Sequence, residues 1–249
     1  MATFEDNRGA QSHLILKALG GFIAVAPMSV PMPEKFTDAS GDLIDLKAAG
    51  FSAVGWLTKG DGINFSRETD QQETESFGAL EPTRVDFTKD VTSAAFRMQE
   101  TNKQTLELYY NTDLDNIVVD ESGEFSFVND SQPSTIYRRA IYVGKDGNGD
   151  DTKYLIKAMP RAILAEIQEQ GWNPEAELSY GLTMKATTDP ELNYSVRHAF
   201  AGPGMKKIVD DMGFSSAGAE EVNTASTSAE VPDTAENTTT AVNPSPEQV

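Results

Sequence analysis

The sequence predicts a mainly β protein, and three observations carry that reading. Apolar runs with period-two alternation recur from Phe22 to Thr187, turn signals rich in Gly and Asp punctuate them, and few stretches show helical spacing. The 249 residues are 39% hydrophobic, enough to bury a core, and allow one large domain or two small ones.

Taken in order, Thr3 to Ser12 reads as a polar arm, and His13 to Leu19 is apolar enough to pack. Phe22-Ile-Ala-Val-Ala26 is a strand stopped by Pro27, and Pro31 and Pro33 keep the next segment extended. Asp42 to Gly50 fits one or two helical turns with Gly50 as the stop. Ala53-Val-Gly-Trp-Leu57 and Ile63-Asn-Phe65, separated by Gly60-Asp61-Gly62, read as a hairpin, because Gly accepts the positive φ that such a turn needs. Residues 66–83 are too polar for core and read as a long exposed loop. Val85 and Phe87 alternate with polar neighbours, Lys89-Asp90 turns the chain, and Val91 to Gln99 is a further strand. Thr101 and Gln104 have capping-box spacing, and Leu106, Tyr109 and Tyr110 follow at helical spacing, which predicts a short amphipathic helix over 102–112.

Residues 115–135 read as loop, with a strand option at Phe125 and Phe127. Thr135 to Val143 and Lys153 to Met159, joined by the turn Asp146 to Asp151, make the best hairpin in the chain. Ala162 to Gln170 fits helix or strand. Leu178 to Thr187 is a strand with Leu178, Tyr180, Leu182 and Met184 on one face, and Val196 to Phe200 is a strand or its end. Met205, Ile208, Val209 and Met212 predict a helix over 204–212 ended by Gly213. The composition then changes: residues 216–249 hold six acids, no base and no aromatic, too little apolar area to offset ordering entropy, and a disordered acidic tail is expected.

Charge narrows the function. The 39 acids against 20 bases give a net charge of -19, and -13 remains once the tail's six acids are set aside. That argues against nucleic-acid binding by phosphate neutralisation. There is no cysteine, which excludes disulfides, thiolate zinc sites and a cysteine nucleophile. The first 21 residues carry no basic stretch followed by a long apolar run, and no window approaches the roughly 20 apolar residues of a membrane helix, so a soluble protein made in a cytoplasm is expected.

Few residues carry candidate chemistry. Asp146, Asn148 and Asp150 have the spacing of the start of a calcium loop, but the sixth and twelfth positions are Asp151 and Lys157 rather than Gly and Glu, and a Gly-rich hairpin turn explains the residues as well. The two histidines, His13 and His198, sit in no catalytic or metal motif. Gly202-Pro203-Gly204 lacks the lysine of a phosphate loop and reads as a turn. Trp56, Tyr109 and Tyr110 read as core before they read as ligand platforms. No catalytic residue and no cofactor are expected; the alternative to a structural role is a monomeric β-sandwich binding module, calcium-dependent through the Asp146–Asp151 turn.

Four segments together carry a resemblance: Ile23-Ala-Val-Ala-Pro27; Val54-Gly-Trp-Leu-Thr-Lys-Gly-Asp-Gly-Ile63; Phe96-Arg-Met-Gln-Glu-Thr-Asn102 followed by Leu106-Glu-Leu-Tyr-Tyr110; and Pro160 to Trp172 with Tyr180 to Asp189. In their order and spacing the chain resembles, over most of residues 20–212, the major tail tube proteins of bacteriophages with long non-contractile tails. The resemblance tilts 162–170 toward strand. It implies two packed antiparallel sheets, a β-sandwich or half-barrel, with a flanking helix. It also implies six-subunit rings whose inner strands close into a barrel, stacked into a tube. The implied partners are further copies of the chain, a tape-measure protein, the distal tail and tail terminator proteins, and phage DNA passing through the lumen without specific binding, with no membrane. The virion tail is the implied location, with assembly in the host cytoplasm. On this reading residues 1–45 are an N-terminal arm and extended loop, 46–215 the tail-tube domain and 216–249 the acidic tail. The 66–83 loop and its edge supply the inter-subunit contact candidates Arg67, Glu68, Asp70, Glu73, Glu75, Phe77 and Arg84.

Overall fold

The computed structural model describes residues 2–129, 131–132 and 134–215; the expected disordered tail at 216–249 lies outside them. Eight strands are described: β1 (Gly20–Pro27), β2 (Ser52–Ala53), β3 (Ile63–Thr74), β4 (Arg84–Met98), β5 (Arg138–Asp146), β6 (Lys153–Ile167), β7 (Tyr180–Ala186) and β8 (Arg197–Ala201). Three short helices accompany them: α1 (Phe4–Arg8), α2 (Lys103–Tyr109) and α3 (Pro203–Lys206). The fold is mainly β and antiparallel, as expected. The strands form one hydrogen-bonded sheet, in the order β2-β1-β5-β6-β7-β4-β3 with β8 also on β6, rather than two separate sheets.

The reason lies in β6. Its first half, Tyr154 to Ala158, has β5 on one edge and β8 on the other, and from Ala162 to Ile167 β7 takes the edge that β8 held. The expected tilt of 162–170 toward strand therefore holds through Ile167. Pro160 sits where the β5 register shifts, between Met159 opposite Ala140 and Ala162 opposite Arg138. A proline has no N–H for the ladder and belongs at such a bulge, where the strand bends. The sheet folds over itself at this bend. Phe65 of β3 and Phe96 of β4 meet Tyr142 of β5 edge-on, with ring centroids 5.3 and 6.1 Å apart. In a flat sheet four strand spacings, about 19 Å, would separate β3 from β5.

The fold-over encloses the main core, built on Ile23, Phe96, Met98, Tyr142, Leu182 and Met184. Leu106, Leu108 and Tyr109 of α2 pack against it. On the back face of β1, β5 and β6, residues 28–51 lay Phe36, Leu46 and Phe51 over Ala24, Ile141 and Ile156 as a second cluster. Strands β1 and β5 are thus covered on both faces, which explains their unbroken apolar runs.

Several local expectations change. Ala53 to Leu57 does not pair with Ile63 to Phe65. Leu57 bridges Met98 while Ile63 pairs with Phe96, so both flanks of the Asp61-Gly62 turn lie on β4. Gly55 breaks the run with φ 90, and a Cβ there would meet the Glu100 carboxyl at 2.3 Å. Glu100 accepts the Trp56 N–H at 2.8 Å, and the kink leaves the Trp56 side chain on the surface, 77% exposed, rather than in the core. The helix is capped by Asn102 rather than Thr101. The Asn102 side chain accepts the Thr105 N–H at 2.9 Å and donates to the Val54 carbonyl at 3.0 Å, while Thr101 bonds Tyr180. Residues 42–50 make a single hydrogen-bonded turn, and Phe125 and Phe127 lie in no strand. The helix expected over 204–212 is regular only in α3, with hydrogen-bonded turns to Gly213. Gly202-Pro203-Gly204 is a close-approach turn: a Cβ on Gly204 would lie 2.3 Å from the Asp151 carbonyl oxygen.

A buried ion pair ties β5 to the loop after β7. Arg139 and Asp189 lie 3.8 Å apart at 7% and 2% side-chain exposure, and Asp189 also accepts the N–H groups of Glu191 and Leu192. Removing one member of such a pair strands the other charge. Asp189→Ala is therefore expected to destabilise the subunit by about 3–5 kcal/mol in urea unfolding. Asp150→Ala, on an exposed turn, should change stability by no more than about 0.5 kcal/mol.

Candidate functional site

The region read as a long loop at 66–83 is mostly strand. β3 runs to Thr74 and β4 begins at Arg84, so only residues 75–83 connect them, and Lys89-Asp90 is paired ladder rather than a turn. Burial does not hold this ladder, because residues 66–85 are all exposed. Pairing and cross-strand charge hold it. Arg67 grips Asp90 with two hydrogen bonds, Nε–Oδ1 at 2.7 Å and Nη2–Oδ2 at 2.6 Å. Lys89 meets Glu68 at 2.5 Å and Asp70 at 3.9 Å. The hydrogen bond from Arg67 holds the Asp90 carboxyl below its usual range, and that from Lys89 does the same to Glu68. At the tip, the Thr83 N–H and hydroxyl both reach the Thr74 carbonyl, and Ser76 bonds Thr83 across the turn.

β4 joins β7 only from Ser93 onward, so residues 67–92 form a two-stranded ribbon that overruns the sheet. From Arg67 to Thr74 it extends about 25 Å. A bulge between Asp70 and Gln71 sets its faces: Phe87 falls opposite Gln71 and Val85 opposite Glu73, on the side that carries Phe65 and Arg67. In the body of the protein this side is the interior of the fold. Along the ribbon nothing among the described residues covers it. Phe87 is 68% exposed, and Phe77 and Leu80 at the tip are fully exposed. A two-stranded ribbon alone is marginally stable in water, and clustered exposed apolar residues mark interaction surfaces.

The inter-subunit candidates all lie on this ribbon: Arg67, Glu68, Asp70 and Glu73 along β3, Glu75 and Phe77 in the tip, and Arg84 at the start of β4, where it meets Asp86 at 2.7 Å. The sequence reading missed Phe87, Val85 and Leu80, whose exposure depends on the ribbon leaving the body.

At the ribbon's base lies a cleft of about 300 Å³ between Phe65, Arg67 and Asp90 on one side and Lys157, Val196 and His198 on the other. Lys157 Nζ sits 3.9 Å over the Phe65 ring. Register places Tyr142, Lys157 and His198 side by side across β5, β6 and β8. Burial lowers the pKa of Lys157; burial, then the charges of Lys157 and Arg67, lower that of His198. The signal for Lys157 was present in sequence, as a lysine at an inward position of an apolar strand, between Leu155 and Met159.

The other candidates are used locally. Asp146 accepts the Lys17 N–H at 3.2 Å, Asn148 accepts from Lys145 at 3.4 Å, and Asp150 lies in the 3₁₀ turn that joins β5 to β6. His13 pairs with Asp211 at 2.9 Å, linking the N-terminal segment to the turns after α3. Among the described residues, the acidic side chains of Glu107, Asp113 and Asp115 converge within 4.8 Å. Lys103 binds Asp115 there and lies 3.7 Å from Glu107, so a lysine ammonium supplies the balancing charge. No helix among the described residues is long and apolar enough to cross a membrane.

No curated protein matches the chain. A family model described as "Phage tail tube protein" matches residues 8–195, and with that span of the folded region covered the chain belongs to the phage tail tube protein family, structural components of the virion tail rather than enzymes.

Proposed function

We propose that the chain is the repeating subunit of the tail tube of a non-contractile phage tail. Copies join into six-membered rings, the rings stack around a tape-measure protein between the distal tail and tail terminator proteins, and DNA passes through the lumen during ejection. The observation that carries this reading is the ribbon, an interior face continued about 25 Å beyond the body with no cover among the described residues. A second copy completes it. Contacts between unlike surfaces of identical subunits generate rings or filaments, which is what a tube requires. The net charge of -19 supports a conduit that repels phosphate instead of binding it. The residues we assign to subunit contact are Arg67, Glu68, Asp70, Glu73, Glu75, Phe77 and Arg84, joined by Leu80, Val85 and Phe87. The subunits assemble in the host cytoplasm and remain in the virion.

The direct test is negative-stain electron microscopy of the purified subunit, with and without tail initiator. Rings or tubes are expected, and persistent monomers under every assembly condition would count decisively against the reading. The double substitution Phe77→Ser with Leu80→Ser should leave the monomer's unfolding free energy within about 0.5 kcal/mol, since neither side chain is packed. It should nevertheless raise the concentration needed for tubes by about tenfold or more, the equivalent of about 1.4 kcal/mol per contact. In hydrogen exchange, amides of residues 69–87 should be weakly protected in the free subunit and strongly protected in tubes. Equal protection in both states would remove the ribbon from the interface.

A further inference from the structure

We propose that the cleft at the ribbon base receives the ribbon tip of a second copy, with Glu75 and Glu81 meeting Lys157 and His198 while Phe77 and Leu80 cover Phe65 and Val196. This rests on the assembly reading above and names the acceptor surface that reading leaves open.

Two surfaces of the chain match in character. The cleft is polar around Phe65 and Val196, and its unmatched charge is a cation. Lys157 stands partly buried over Phe65 with no carboxylate within ion-pair distance among the described residues, and His198 beside it makes no hydrogen bond to a carboxylate among them. Arg67 differs, since Asp90 already satisfies it. A partly desolvated ammonium without a counter-charge is costly in a protein of net charge -19, and an incoming carboxylate removes that cost. The tip is acidic and apolar: Glu73, Glu75 and Glu81 surround Phe77 and Leu80, all exposed, with no base between residues 68 and 83.

Size and reach agree. At about 300 Å³ the cleft is roughly twice a cavity that admits benzene, so one large side chain and its neighbours fit. The tip stands about 25 Å from the cleft of its own chain, at the far end of a ribbon held extended by its ladder, so the occupant is another copy. A tip-to-base contact uses two different surfaces, leaves the joined pair with one free tip on one copy and one free cleft on the other, and propagates instead of closing as a pair.

The chain has no cysteine, so an engineered pair reports this contact without background. Tubes of a Glu81→Cys, His198→Cys double variant should oxidise to a ladder of covalent oligomers on a non-reducing gel, and mixed single variants should give dimers only. Both positions are exposed, so folding is not at stake. Lys157→Glu should raise the assembly concentration about tenfold, and pairing it with Glu75→Lys and Glu81→Lys should restore assembly. Truncation after Ser215 should leave assembly intact; if it instead rescues Lys157→Glu, the acidic segment 216–249 is the occupant and the proposal is wrong. Tubes that form normally yet stay unlinked overturn the tip-to-cleft contact alone. Failure of the unsubstituted chain to form rings or tubes overturns the assembly reading together with it.

Discussion

Strand β6 carries β5 and β8 along its first half and β7 along its second, and its bend at Pro160 lets one sheet close over a single core. Most of the remaining architecture follows from that geometry. Because the sheet folds over, Tyr142 can sit beneath both Phe65 and Phe96, and burial pushes its phenol pKa up. Because the fold-over ends where β4 leaves β7 at Ser93, the rest of β4 and its partner β3 have no opposite layer among the described residues. The ribbon and the cleft at its base are therefore two consequences of one bend. One is the interior face carried past the core, and the other is the open end of that core.

The parts legible in the sequence were those whose stability is local or comes from burial. The β5–β6 hairpin was readable because two apolar runs flank a turn whose glycines, Gly147 and Gly149, take φ 72 and 55. β7 was readable because Tyr180, Leu182 and Met184 alternate into the core. The ribbon was not readable as strand, because its residues from Ser66 to Thr83 carry the composition of a loop, and what makes them extended is a partner 20 or so positions away in sequence, tied by Arg67–Asp90 and Glu68–Lys89. Contact order of this kind leaves no mark in periodicity. The Thr101 and Asn102 ambiguity is different. Both residues are good caps, and the choice falls to Asn102 because its amide can bond Thr105 and Val54 at once. Trp56 was placed wrongly because one glycine, with φ 90, turned its strand outward.

Charge is distributed in a way that net charge does not reveal. The cations of the ribbon, Arg67, Arg84 and Lys89, are matched by carboxylates on the same ribbon, and Arg138 and Arg139 are matched by Glu107 and Asp189 inside the fold. Lys157 departs from that pattern, on the inner face of β6 with an aromatic ring instead of a carboxylate beside it. The ring's quadrupole stabilises the ammonium from one side only, and the side facing the cleft stays open. A partly buried cation without a carboxylate beside it directs association more strongly than a diffuse excess of charge, because salt screens distant charges and leaves a desolvated one largely unscreened.

A ribbon that is only marginally stable alone also suits regulated assembly. When the binding-competent form is a fraction of the free population, the apparent affinity falls by that fraction. On the proposed assembly, free subunits then associate weakly, while a growing tube end that offers the complementary surface recovers the ordering cost as each ribbon docks. The cross-strand pairs Arg67–Asp90 and Glu68–Lys89 set that fraction. They are exposed and individually weak, enough to bias the ribbon toward its extended form without fixing it there. The polarity that looked like a loop's composition is on this view the means by which the ribbon stays soluble and adjustable, with its few apolar residues, Phe77, Leu80, Val85 and Phe87, reserved for the partner.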